Sequence, residues 1–138
     1  MASRREGRRR AIDVLYQADV TRRDPRVVLA EWTAADRPVD AFAERLVEGV
    51  AEHRDEIDEL IGANAEHWTL ERMATLDRTI LRLAVFELLH GDDTPPGVAI
   101  SEAVAIAKEL STEESGRFVN GVLGRIARSR DGDVPTGR

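Results

Sequence analysis

Apolar residues recur at three- and four-residue spacing along almost the whole chain, the period of amphipathic helices rather than strands. Ala11, Leu15 and Ala18 stand at i, i+4 and i+7 with Ile12 and Tyr16 beside them, which predicts a first helix. Its arginine-rich opening turns are either the exposed start of that helix or a tail that becomes helical on binding. Asp24-Pro25 ends it, and Arg26 to Trp32 reads as a short second helix. Asp36-Arg37-Pro38 is the next break, because proline lacks an amide donor and restricts its predecessor. From Val39 one long helix is expected, with Phe42, Leu46 and Val50 on one face, continuing through Ile57, Leu60 and Ile61. Glu44, Arg45, Glu48 and Glu52 take the opposite face. Gly62 to Thr69 is polar and reads as a turn, with room for a final helical turn inside it.

Leu76 to His90 is apolar nearly all round, which places that helix at the centre, covered on most sides. Gly91 to Gly97, with two aspartates and two prolines, is a firm break. Ile100, Val104, Ala107 and Leu110 define a further helix. Ser111-Thr112-Glu113-Glu114 then has the Ser-x-x-Glu spacing of a capping box. The last helix turns Phe118, Val119, Val122, Leu123 and Ile126 inward, and Gly121 and Gly124 offer a neighbouring backbone close approach. Beyond Arg128 the apolar pattern stops. The expectation is an all-α single domain of six or seven helices over residues 1–128, with 129–138 a flexible C-terminal tail.

Composition narrows the chemistry more than the fold. A chain of 138 residues, 42% hydrophobic and 33% charged, suits one soluble globular domain. It has no apolar run of the roughly 20 residues that span a bilayer. The basic start is followed by no apolar segment of the kind a secretory signal needs. The absence of cysteine excludes disulfides, thiolate zinc sites and cysteine nucleophiles, and fits a reducing, cytoplasmic setting. His53, His67 and His90 lie far apart in sequence and read as surface or helix-end residues, none at metal-ligand spacing to another. No Gly-rich phosphate loop or nucleophile elbow is present. Glu113 and Glu114 are adjacent, so on a helix they point apart; capping and the helix dipole account for them. No enzyme, cofactor or metal is expected.

Charge points to binding. The first ten residues hold five arginines against one glutamate, +4, leaving −10 on residues 11–138 for a total of −6. Such a chain could grip a polyanion at one end and repel it elsewhere. On a helix, Arg4 and Arg8, and Arg5 and Arg9, share a face and with Arg10 would present a strip of guanidinium groups to phosphate, with strong salt dependence. The bias to arginine throughout, with Lys108 the single lysine, is explained as well by a GC-rich genome as by phosphate recognition. Tyr16 is either core-facing with a wet hydroxyl or a contact for a partner. Phe118, beside Arg117 near a helix start, either fills the core or stacks a base while guanidinium and amides hold phosphate.

Four segments, in order, carry a resemblance that spans Arg4 to about Arg128. They are the arginine-rich opening running into Ala11-Ile12-Asp13-Val14-Leu15-Tyr16, and Leu76-Asp77-Arg78-Thr79-Ile80-Leu81-Arg82-Leu83-Ala84-Val85-Phe86-Glu87-Leu88. Then come Pro96-Gly97-Val98-Ala99-Ile100-Ser101-Glu102-Ala103-Val104 with Ala107-Lys108, and Arg117-Phe118-Val119-Asn120-Gly121-Val122-Leu123. Together they resemble the NusB family of bacterial transcription antitermination factors. The resemblance implies two small helical bundles packed together. It implies binding of boxA-type single-stranded RNA from ribosomal RNA leaders, together with NusE, a small-subunit ribosomal protein. That complex joins elongating RNA polymerase and other Nus factors and helps the polymerase read through terminators.

By the same resemblance Arg4, Arg5, Arg8, Arg9 and Arg10 form the RNA-binding opening, Arg117 and Phe118 lie on the RNA side, and Glu114 tunes RNA affinity. Tyr16, Asp77 and Arg78 match the NusE-binding surface. Departures are also present. Glu6-Gly7 interrupts the arginine run and is expected to loosen its helix. Gly116 stands where a larger polar side chain is common, and no aromatic base platform is expected between Gly62 and Met73. Family members are monomers or dimers, so a homodimer stays open. Two alternatives remain: a protein-interaction or dimerisation module with weak or no RNA binding, and a detached partner of an RNA cytosine methyltransferase. NusB-like domains occur fused to such enzymes, but this chain is too short to hold one and lacks a cysteine nucleophile.

Overall fold

In the computed structural model, residues 3–91 and 93–132 are described. Among them are seven α-helices and no strand: α1 (Arg4–Thr21), α2 (Pro25–Ala34), α3 (Ala41–Glu52), α4 (Arg54–Asn64), α5 (Thr75–His90), α6 (Pro96–Leu110) and α7 (Glu113–Gly132). A short 3-10 turn, Leu70–Arg72, precedes α5.

Most helix starts are written in side chains. Ser3 Oγ accepts from the Glu6 amide at 3.1 Å, and Glu6 Oε1 accepts from the Ser3 amide at 2.8 Å, a reciprocal capping box. Glu6-Gly7 therefore does not loosen α1. Glu6 closes its first turn, and Gly7 lets Phe42 lie against it, since a Cβ there would fall 2.8 Å from Phe42 Cδ2. Asp24 caps α2 through the Arg26 amide at 2.8 Å, with Pro25 in the first helical position. Asp40 caps α3 through the Ala43 amide at 2.7 Å. At α7 the capping oxygen is Thr112 Oγ1, which accepts from the Ser115 amide at 3.0 Å, one residue later than the Ser111 spacing implied.

The long helix expected from Val39 is two. α3 ends and α4 begins at His53, whose φ of −106° and ψ of 21° leave the helical region. The break redirects the chain: α3 packs on α1, α2 and α5, whereas α4 packs on α5 and α7. Two bundles result, α1–α3 and α4–α7, joined by α5, which touches α1, α3, α4, α6 and α7. Its central position follows from its sequence. Ile80, Leu81, Leu83, Ala84 and Val85 are all buried, and truncating one such leucine costs about 2–5 kcal/mol.

Two further expectations change. The nearest side-chain atoms to a Cβ at Gly121 or Gly124 belong to Arg125 and Arg128 of the same helix, so these glycines admit no neighbouring backbone. The close approach is instead at Gly49 of α3, where a Cβ would overlap the Phe86 ring. Finally, α7 runs on to Gly132, past the expected end of the domain at Arg128. Residues 133–138 of the expected tail lie outside the described residues.

Candidate RNA and partner surfaces

The arginine-rich opening is helical, and its guanidinium groups are met by carboxylates from α5, α6 and the loop between them. Arg4 Nη2 lies 3.0 Å from Asp93 Oδ2, with its guanidinium 4.3 Å from the Phe42 ring centre. Arg5 makes a two-pronged contact with Glu102, at 2.9 and 2.6 Å. Arg9 Nη1 lies 2.8 Å from Glu109 Oε1. Arg4–Asp93 and Arg9–Glu109 are exposed on both sides, and such pairs are individually weak, whereas Arg5–Glu102 is bidentate with a half-buried carboxylate and is the firmest of the three. Hydrogen bonding to Arg5 and Arg4 holds Glu102 and Asp93 below the usual carboxylate range.

Arg8 differs. It is buried, pairing through Nε and Nη2 with the buried Glu87 carboxylate at 2.7 and 2.9 Å. That hydrogen bond raises the guanidinium pKa further above its ordinary value, against the opposing effect of burial. Arg10 turns the other way, 5.7 Å from the Trp32 ring, which Arg37 covers at 3.4 Å. The expected uniform strip is therefore corrected: α1 docks on α5 along the face that carries Arg8, leaving Arg4, Arg5 and Arg9 as the outward cations.

The start of α7 builds a second surface. Glu114 and Arg117 are exposed and Phe118 is half-buried. Phe118 and Glu114 line a groove of about 370 Å³ with Trp68, Arg72, Met73, Ala74, Asp77 and Ser115. Trp68 is 49% exposed, so the stretch between Gly62 and Met73 presents an aromatic side chain at the surface, where none had been singled out. The signal was a lone tryptophan amid polar residues. Gly116, where the resemblance led one to expect a larger polar side chain, is covered by Lys108; a Cβ there would sit 2.5 Å from Lys108 Cγ. The last turn of α6 thus joins the two surfaces, since Glu109 holds Arg9 while Lys108 overlies Gly116 and approaches Glu113 at 3.8 Å.

The three residues matched to a partner surface do not share one cleft. Tyr16 is 42% exposed on α1, with the exposed Val20 one turn on. Arg78 reaches the same helix, pairing with Asp19 at 2.8 Å, and donates to the Leu70 carbonyl at 2.7 Å. Arg82 joins them, bound to Asp58 through Nε at 2.8 Å and to Asp19 at 3.4 Å. Asp19, Asp58 and Arg82 were not singled out from sequence. Asp77, next to Arg78 in the chain, faces the Trp68–Phe118 groove instead. Burial raises its pKa, with the nearby Ser115 opposing the shift in part, and its Oδ1 is buried without a hydrogen-bond partner.

No described helix is long and apolar enough to cross a membrane. His53 and His90, apart in sequence, come together with Glu56 at the junction of α3, α4 and α5.

Comparison with known proteins fits this architecture. The NusB family model matches residues 5–128. A transcription antitermination protein NusB of Acidothermus cellulolyticus is 54% identical over 127 residues, covering 91% of this chain and 88% of its own. The solved T. maritima NusB superposes with a TM-score of 0.81 at 39% identity, over 92% of each chain. A crystal structure of antitermination factors NusB and NusE in complex with dsRNA gives a TM-score of 0.79 at 31% identity, over 91% of this chain and 96% of that one. With a family match across nearly its whole length and the two-bundle fold of the solved relatives, this chain belongs to the NusB family.

Proposed function

We propose that the protein is a cytoplasmic, non-enzymatic transcription antitermination factor. In this reading it binds boxA-type RNA of ribosomal RNA leaders together with NusE, and the pair joins elongating RNA polymerase with other Nus factors. The observation that carries the reading is the likeness, over nearly the whole chain, to a NusB solved with NusE and RNA. The outward Arg4, Arg5 and Arg9 and the Trp68–Phe118 groove, linked by the last turn of α6, support it.

The geometry suggests how affinity and selectivity are divided. Phosphates approaching the start of α1 exchange places with Asp93 and Glu109, whose pairs are exposed and weakly held. This exchange supplies sequence-independent, salt-sensitive attraction. Bases stack on Trp68 and the exposed part of Phe118, with Arg117 beside them. Arg8 acts as a positioning residue, fixing α1 on α5 so that its neighbours face outward. Tyr16 and Val20 with the Arg78–Asp19 pair form the NusE-facing side, and NusE bound there extends the RNA surface, so each partner strengthens the other's binding.

One observation favours a second reading, an interaction module with weak RNA binding: four of the five tip arginines already hold carboxylates. Titration of boxA RNA at two salt concentrations, with and without NusE, separates the two. The antitermination reading expects affinity that falls with salt and rises with NusE. RNA binding indifferent to both, or unchanged on deleting residues 1–10, would sink it.

A further inference from the structure

The histidine pair lies outside both surfaces. His53 closes α3 and opens α4, Glu56 sits in the first turn of α4, and His90 is the last residue of α5. The two imidazoles stack with centroids 3.9 Å apart and 23° between their planes. Glu56 Oε1 is 3.1 Å from His90 Nε2 and 3.6 Å from His53 Nδ1. One nitrogen or oxygen from each of the three residues falls within 4.8 Å of the others. Phe86 forms a floor, its ring 6.0 Å from His53 and 5.7 Å from His90. Gly49 makes room for that floor, because a side chain there would displace the ring.

We propose that His53, Glu56 and His90 bind a divalent transition-metal ion, zinc by their donor set. Two imidazoles, borderline ligands, with one carboxylate make a donor set that zinc takes, whereas magnesium and calcium take all-oxygen shells. Tetrahedral zinc with bonds near 2.0–2.1 Å needs its ligand atoms about 3.3 Å apart. The two Glu56–histidine distances already bracket that value; the imidazoles, stacked 23° from parallel, must turn out of their stack so that both in-plane lone pairs meet at one point, with water filling the fourth position. If His53 binds through Nδ1, its Nε2–H faces Glu52 Oε2 at 3.9 Å, the outer carboxylate that commonly orients a ligating histidine. The ion would tie the α3–α4 junction to the end of α5, clamping the two bundles where they meet.

The test uses the untagged full-length chain stripped of metal by a chelator. Zinc should bind with one equivalent and raise Tm by roughly 5–10 °C at a concentration 100-fold above its Kd. Cobalt(II) should show the visible absorption of a four-coordinate site, and magnesium should do nothing. His53→Ala and His90→Ala should each weaken zinc at least tenfold, while His67→Ala should not. Glu56→Gln, on an exposed side chain, serves if a histidine variant fails to fold. No zinc-dependent shift, or zinc binding that His53→Ala, His90→Ala and Glu56→Gln all leave unchanged, would overturn the proposal.

Discussion

Arg8 and Glu87 meet edge to edge inside the protein, Nε to Oε1 at 2.7 Å and Nη2 to Oε2 at 2.9 Å, with 4% and 2% of their side chains exposed. Removing one partner strands a buried charge, so Arg8→Ala or Glu87→Ala should cost about 3–5 kcal/mol in denaturant unfolding. Replacing both, Arg8→Met with Glu87→Leu, should recover most of that loss. RNA affinity lost in Arg8→Ala should return in the double variant, which would show that Arg8 positions α1 rather than touching phosphate.

The exposed pairs predict the opposite sign. Glu109→Gln frees Arg9 from its carboxylate at the tip. RNA affinity should rise about two- to fivefold at low salt, with the gain shrinking as salt screens it. Arg9→Ala should weaken binding and reduce the slope of log K against log salt by about 0.7. Fluorescence anisotropy with labelled boxA RNA at several salt concentrations reads both.

Trp68 offers a probe within the groove. Being half-exposed, it can be replaced by Ala with little change in Tm, while RNA affinity should fall by about 1–3 kcal/mol if a base stacks there. Phe118 is half-buried against the core, so Phe118→Ala should lower both Tm and affinity. RNA should quench the emission of Trp68 and leave the buried Trp32 unaffected. Full RNA affinity in Trp68→Ala would remove the groove from the RNA surface.

Asp77 gives a pH signature. Burial raises its pKa above 3.8, so the folded protein holds this proton more tightly than the unfolded chain does. Its contribution to stability is present at low pH and is lost as pH rises through the raised native value. Asp77→Asn should therefore raise Tm at pH 7, by about 2–4 °C, and the advantage should disappear toward pH 4. Paired thermal melts of the two proteins across that range check the sign.

Periodicity made α5 legible because Leu76 to His90 is apolar nearly all round, and a central place covers it best. The α3–α4 break was not legible. Val50 and Ile57 stay in phase across His53, and no proline or glycine marks the change of direction. Arg8 escaped for a different reason. An arginine is buried only when a partner is supplied, and Glu87 lies 79 residues away. Trp68 was present in the sequence, but its exposure and its place beside Phe118 arise from how α5 and α7 pack. The motifs at Arg4–Tyr16 and Arg117–Leu123 pointed to the family, whose fold the solved relatives share.

The capping box at Ser3 and Glu6 sets a ceiling on how cationic the start of α1 can become. Arginine at position 6 would discard the carboxylate that closes the first turn, and any side chain at position 7 would push Phe42 off the helix. Any increase in positive charge must come at other positions or by removing the acids opposite. The two residues that look like a flaw in a basic run are thus the ones least open to improvement. A stronger polyanion grip is easier to reach by editing Asp93 or Glu109 than by lengthening the arginine series.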